Sequence, residues 1–129
     1  MKRKTTKEIL VESFRELAQK KAVDKITVQD IVQNCDYSPA TFYRHFTDKY
    51  ALISFDYTNK MQSIVEPLCT DSWGEVIKKG IEFFSVDMKY VRNLLKNTSG
   101  VDSFMDCMMH VNVELLSRSI MNKKKKRNL

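Results

Sequence analysis

The chain has 129 residues, which is enough for one or two small helical units, and its formal net charge of +6 favours an anionic partner. Three Gly and two Pro indicate long helices joined by short loops. With no apolar run approaching a membrane span and no signal peptide at the start, we expect a cytoplasmic protein with no membrane contact. The widely spaced Cys35, Cys69 and Cys107 fit reduced thiols in that compartment.

The basic charge is concentrated at the two ends of the chain. Residues 2–4 read Lys-Arg-Lys, residues 61–117 are net acidic, and residues 118–127 carry six cationic side chains. The first basic run is either a solvated tail or an arm that contacts DNA phosphates or the minor groove. We expect the tail at 123–129, which holds most of the second run, to be disordered.

The first predicted helix begins at Thr5 or Thr6, either of which can cap it, and runs to about Lys21. Its apolar positions recur at helical spacing at Leu10, Phe14, Leu17 and Ala18. We expect this helix to be the floor on which two shorter helices sit.

Residues 27–53 contain three helix starts. Thr27 has Asp30 three residues on, a pattern typical of a capping box, and Ser38 precedes Pro39, which suits the first helical position. Asp48 opens a longer amphipathic run. A short helix, a tight turn and a second short helix from about Pro39 to Phe46 predict a helix-turn-helix unit.

The second short helix has two faces of different chemistry. Phe42 and Phe46 are four residues apart and should pack on the neighbouring helices, since so short a helix is not stable alone. The remaining side chains are small, hydroxyl, aromatic and cationic groups: Ala40, Thr41, Tyr43, Arg44 and His45. Such groups suit a DNA groove and its phosphates.

The run Thr41-Phe42-Tyr43-Arg44-His45-Phe46, followed by Asp48-Lys49 and Leu52, closely resembles the signature of TetR-type bacterial transcriptional regulators. The resemblance covers roughly residues 5–60. It implies operator binding to double-stranded DNA as a homodimer, and in many members a small-molecule effector. Asp36 stands in the turn where that family usually has Gly, and Asp is one of the few other residues that enter the left-handed region at tolerable cost.

The predicted DNA-binding residues are Thr27, Ser38, Pro39, Ala40, Thr41, Tyr43, Arg44, His45 and Lys49. Within this set, Tyr43, His45 and Lys49 are expected to anchor phosphates. Arg44 and the residues from Ser38 to Thr41 are expected to face base edges.

Four further helices are predicted after the second short helix. The fourth runs from Asp48 to about Glu66, where Pro67 should stop it, and Thr70-Asp71-Ser72 opens the fifth. A sixth passes through Met88 to Leu95, and a seventh, from about Asp102 to Met121, is apolar on more than one face. The chain is therefore predicted to be all-α, with a helix-turn-helix head at 1–48, a helical regulatory and dimerisation body at 49–122 and a basic tail at 123–129.

Two alternatives for the body stay open at this point. Its Met and aromatic side chains either line a ligand pocket or form an ordinary helical core. Cys107, His110 and Glu114 share one helix face, which suits metal ligands, but the absence of a second Cys/His cluster favours no metal. No glycine-rich phosphate loop or Ser-His-Asp arrangement is present, so we expect neither an enzyme nor a cofactor.

The resembled regulators usually have two further helices that form the dimer interface, and this chain instead ends in a basic run. We therefore expect a shortened regulator whose weaker dimer uses helix seven, with Met105, Met108, Met109 and Leu116 as interface candidates. The leading interpretation is a sequence-specific DNA-binding regulator. The alternative is a protein-interaction co-regulator, or a truncated remnant, without independent operator binding.

Overall fold

The computed structural model describes residues 3–68 and 73–127, and within these ranges all regular structure is helical. The helices are α1 (Thr6–Ala18), α2 (Val28–Asn34), α3 (Pro39–His45), α4 (Lys49–Leu68), α5 (Trp73–Val86), α6 (Met88–Lys96) and α7 (Phe104–Arg127). Short 3₁₀ turns at Val23–Lys25 and Gly100–Asp102 precede α2 and α7. The predicted all-α class is confirmed.

The predicted cap residues begin the first four helices. The Thr5 hydroxyl accepts a hydrogen bond from a backbone N–H of the first turn of α1. Thr27 and Asp30 form a complete capping box at α2, while Ser38 caps α3 with Pro39 in its first turn. The Asp48 carboxylate accepts the Ala51 N–H at 2.8 Å at the start of α4. Local sequence therefore sets where these helices start, because each cap satisfies a donor that the helix itself leaves unpaired.

The turn between α2 and α3 depends on a left-handed residue. Asp36 has a φ of 60°, as expected from its place in the turn. The turn is closed by the Tyr37 N–H, which donates to the Val32 carbonyl at 2.9 Å. This geometry reverses the chain and brings α3 across α2.

We predict that Asp36→Gly keeps or raises the free energy of unfolding, by up to about 1 kcal/mol, since Gly enters the left-handed region without a Cβ clash. Asp36→Ala should lower the free energy of unfolding by about 1 kcal/mol, because Ala has a Cβ but lacks the short polar side chain that makes the left-handed region tolerable for Asp. Chemical denaturation measures both. Gln33→Ala, on the exposed face of α2, is the control, and equal effects of the two Asp36 variants would contradict the strained turn.

The core of the head is formed where α1, α2, α3 and the start of α4 meet. Its fully buried side chains are Leu10, Phe14, Val23, Ile26, Ile31, Val32, Phe42 and Leu52. Phe42 contacts Phe46, with ring centroids 5.7 Å apart, and Phe46 also contacts Phe55 of α4 at 5.5 Å. The predicted inward face of α3 is confirmed.

Phe42→Ala should therefore lower the free energy of unfolding by about 3–5 kcal/mol, because it empties a fully enclosed site. Its neighbour Tyr43 is 57% exposed, so Tyr43→Ala should cost no more than about 1 kcal/mol. Urea denaturation of the two variants compares adjacent aromatic residues on opposite faces of one helix. Equal losses would show that α3 packs by another face.

Three helix ends differ from the sequence prediction. The first helix ends at Ala18 rather than about Lys21, because contacts from α6, described below, bind the carbonyls at its end. The fourth continues two residues past the expected end, through Pro67 to Leu68, a difference of the size by which helix ends ordinarily vary. The seventh continues to Arg127, so the lysine run at 123–126 is helical where we expected a disordered tail. The predicted cap of the fifth helix, at 70–72, lies outside the described residues.

The body packs on the head through α4 and α6. The long helix α4 contacts α1, α5 and α7, and α6 lies against α1. Tyr57 of α4 links to α7 by donating to the Asn112 side chain at 2.8 Å. In the described part of the chain, no helix is long and apolar enough to cross a membrane.

Candidate nucleic-acid interface

The outer face of α3 presents most of the predicted site residues together. The side chains of Ser38, Pro39, Ala40, Tyr43 and Arg44 are exposed, and those of Thr41 and His45 are partly exposed. Because Phe42 and Phe46 hold the opposite face in the core, this arrangement is fixed by packing. The face offers hydroxyl, methyl, phenol and guanidinium groups within two helical turns.

The first turn of α3 is already ordered by its own side chains. The Ser38 hydroxyl accepts the Thr41 N–H at 3.3 Å, and the Ser38 and Thr41 hydroxyl oxygens lie 3.1 Å apart. The Tyr43 ring packs edge-on against Phe42, with centroids 5.5 Å apart, which supports an otherwise exposed side chain. Because these side chains are already ordered, they would lose little conformational entropy on binding a ligand.

Thr27, the predicted site residue at α2, has a structural role. Its hydroxyl accepts the Asp30 N–H, while the Asp30 carboxylate accepts the Thr27 N–H and an ammonium hydrogen of Lys21 at 2.8 Å. The hydrogen bond from Lys21, followed by that from the Thr27 N–H, lowers the pKa of Asp30 from 3.8 to about 2. The start of α2 is therefore held by a charged cluster at the surface.

A carboxyl whose pKa is lowered on folding contributes stability above its unfolded pKa and loses it as the pH falls through the folded pKa. We predict that the Asp30 contribution is lost between pH 3.8 and about 2. NMR titration of the Asp30 carboxyl measures the pKa directly. Lys21→Gln should raise that pKa toward 3.8, and a wild-type pKa of 3.8 would contradict the proposed cluster.

Lys49, the predicted phosphate anchor, is bound within the protein. Its ammonium donates to the Val23 carbonyl at 2.9 Å and to the Ile26 carbonyl at 2.8 Å. Partial burial lowers the pKa of Lys49. An ammonium group has three hydrogens, so one remains for a phosphate, and that role stays a prediction. The contact with the carbonyls joins the first turn of α4 to the segment before α2.

The same segment is held from the other side by Asn93 of α6, which sequence reasoning missed. The Asn93 side-chain amide donates to the carbonyls of Ala18 and Lys21, both at 2.9 Å, and its oxygen accepts the Val23 N–H at 3.0 Å. That oxygen also accepts a hydrogen bond from the Asn97 amide at 2.8 Å. Asn93 thereby caps the end of α1 and fixes the chain that leads into the helix-turn-helix.

A second junction, also missed from the sequence, centres on Arg15 of α1. Its Nε donates to Asp56 of α4 at 2.9 Å, and its Nη1 donates to Asp87 at 3.0 Å, immediately before α6. The guanidinium lies over the Tyr90 ring, 4.3 Å from its centroid. One cation therefore joins the head to two helices of the body.

The metal ligands considered from the sequence, Cys107, His110 and Glu114, do not form a metal site. Among the residues that the structure describes, no group of three His, Cys, Asp or Glu side chains is placed to hold a metal ion. Cys107 and His110 instead line a surface cleft beside α4, and Glu114 forms an ion pair with Arg118 at 2.6 Å.

Two short helices joined by a tight turn, with a polar and cationic outer face on the second, define a helix-turn-helix domain. Residues 10–54 match the profile of the bacterial regulatory proteins of the tetR family. The similarity to that family therefore covers the helix-turn-helix together with part of α1 and the start of α4. The match to a family of regulatory proteins agrees with the prediction that the chain is not an enzyme.

An uncharacterized HTH-type transcriptional regulator of Bacillus subtilis (strain 168), YerO, is 35% identical over 82 residues. That alignment covers 58% of this chain and 28% of YerO. The similarity therefore concerns only a part of the longer protein. No solved structure matches the chain significantly.

Proposed function

We propose that the protein is a sequence-specific DNA-binding transcriptional regulator that places α3 in the major groove of an operator. The observation that carries this proposal is the outer face of α3, where exposed hydroxyl, phenol and guanidinium groups stand on a helix fixed from behind by Phe42 and Phe46. The major groove of B-DNA is wide enough to admit an α-helix. The family of the head and the net charge of +6 support the same function.

We assign base contacts to Arg44 and to the first turn of α3, from Ser38 to Thr41. A bidentate contact of a basic side chain such as arginine with guanine is the commonest specific contact in the major groove. The short side chains of the first turn let the helix approach the base edges closely. Tyr43, His45 and the remaining ammonium hydrogen of Lys49 are assigned to phosphates, which fix the register of the helix. Thr27 is assigned to the phosphate beside the start of α2.

Arg44→Ala should weaken binding to the operator by about 1–3 kcal/mol and relax specificity at one base position. Arg92→Ala removes the same charge from an exposed site on α6 and is the matched control. Fluorescence anisotropy with DNA flanking the protein's own gene and with random duplex of equal length gives both affinities. If Arg44→Ala weakens both duplexes equally, its base-reading role is wrong.

The same titrations separate the proposed function from the alternative. A DNA-binding regulator should bind more weakly as salt rises, because phosphate contacts release counterions. An interaction module without operator binding should show no preference for the flanking DNA over random duplex, even at low salt.

We also propose that the protein acts as a homodimer through α7. Helix-turn-helix proteins usually read two half-sites about one helical turn apart, which requires two heads. The inner face of α7 packs in the core through Phe104, Val111 and Leu115. Its outer face exposes an apolar row formed by Met105, Met109, Val113 and Ile120. Of the other two candidates from the sequence, Met108 packs against the core and Leu116 is partly exposed.

The double variant Met109→Lys/Val113→Lys should convert a dimer to monomer, because both side chains are more than 60% exposed and would bring charge into an apolar interface. Val86→Lys/Val101→Lys adds the same charge at exposed positions off α7 and is the control. Sedimentation at micromolar concentration measures the assembly. A wild-type monomer, alone and with DNA, would contradict the dimer. A dimer that survives the double variant would exclude this face of α7.

A further inference from the structure

The arm that precedes α1, residues 3 and 4 in the described part of the chain, is held by one ion pair. The Lys4 ammonium lies 2.7 Å from one carboxylate oxygen of Glu12 and donates to the other at 3.0 Å. Lys4 stands just before the cap of α1, whereas Glu12 lies in the second turn of the helix. The lysine side chain therefore runs along α1 instead of pointing away from its N-terminal end.

This ion pair is exposed and is not needed to hold the fold together. The side chains of Lys4 and Glu12 are 58% and 53% exposed, and their contact joins the arm to α1 alone. Exposed ion pairs contribute little to stability, because water screens them and two long side chains lose freedom. The hydrogen bond to Glu12 raises the pKa of Lys4, so the ammonium stays charged near neutral pH. The pair thus fixes the position of a cation that can leave at low cost.

The N-terminal end of α1 lies beside the end of α3. The Lys7 ammonium, in the first turn of α1, is 5.7 Å from the ring centroid of Phe46, the residue that directly follows α3. The same ammonium is 5.0 Å from the ring centroid of Phe55 in α4. Since Lys4 precedes Lys7 by three residues, the arm begins close to the last turn of α3.

This position matters for the proposed complex with DNA. A helix that occupies the major groove has sugar–phosphate strands beside it, and phosphates are the usual partners of cationic side chains there. Lys4 cannot serve Glu12 and such a phosphate together, because the ion pair directs the ammonium along α1 and the carboxylate would repel the phosphate. Glu12 and a phosphate are therefore alternative partners for one ammonium group.

We propose that Glu12 competes with a DNA phosphate for Lys4, and so holds the arm back until α3 is seated on DNA. The inference rests on the proposed operator binding and adds one autoinhibitory contact to it. Because the ion pair must break before Lys4 can bind a phosphate, the wild type gains less affinity from Lys4 than a variant without the Glu12 carboxylate does.

A double-mutant cycle on DNA affinity separates this competition from a general effect of charge. Glu12→Gln should raise the affinity of the full chain for the DNA flanking its own gene by about twofold to fivefold, the range for breaking one exposed ion pair. In a Lys4→Gln background, the same change should raise affinity by less than about 1.5-fold, since no ion pair remains to be broken. Fluorescence anisotropy at low salt gives all four affinities. Random duplex should show the same coupling, because phosphates carry no sequence information.

Glu8→Gln is the matched control, because it removes the same charge one turn nearer the arm from a residue that forms no ion pair with Lys4. It should change affinity equally in both backgrounds. Lys4, Glu8 and Glu12 are all exposed, so the variants should fold. NMR titration reports the pair without DNA: Glu12→Gln should lower the pKa of Lys4 toward its ordinary value.

Two results would overturn the competition and leave operator binding standing. One is an effect of Glu12→Gln that is equal in both backgrounds, and the other is a Lys4 pKa that Glu12→Gln leaves unchanged. A wild-type chain that binds neither duplex would contradict operator binding itself, and this inference with it.

Discussion

The peptide group of Val23 is the constraint on which the position of the helix-turn-helix depends. Its carbonyl accepts a hydrogen bond from Lys49 of α4, and its N–H donates to Asn93 of α6. Val23 is itself fully buried, so its N–H would be costly to leave unpaired, and its carbonyl also accepts the Ile26 N–H at 3.2 Å. Two body helices therefore hold the short segment that leads into α2, and α3 follows from α2 through the turn at Asp36.

This arrangement links the body to the outer face of α3 by way of the segment before α2, α2 itself and the turn. Arg15 adds a second junction, since it joins α1 to Asp56 of α4 and to Asp87 before α6. If α6 moved relative to α1, the contacts of Asn93 and of Arg15 would either break or require the bonded segments to move with it.

The head was predictable where local chemistry decides the structure. Thr27, Ser38 and Asp48 cap helices by bonding within three residues, and the turn at Asp36 is a matter of steric freedom at one position. The contacts of Asn93 were not predictable, because they join residues about 70 positions apart and carry no periodic signature. The charge of Lys49 was recognised but its internal carbonyl partners were not. The lysine run of α7 was wrongly predicted to be disordered because only its charge was considered, although lysine is a good helix former.

The central claim is that contacts from the body at Val23 set the geometry with which α3 meets DNA. The most direct measurement compares Asn93→Ala with Asn112→Ala in binding to the DNA flanking the protein's own gene, at a temperature where both variants are folded. Asn112→Ala also removes a hydrogen bond between helices, but within the body. The account predicts a loss of about threefold to thirtyfold for Asn93→Ala, the range of typical coupling energies, and less than about twofold for Asn112→Ala. Equal affinities of the two folded variants would contradict it.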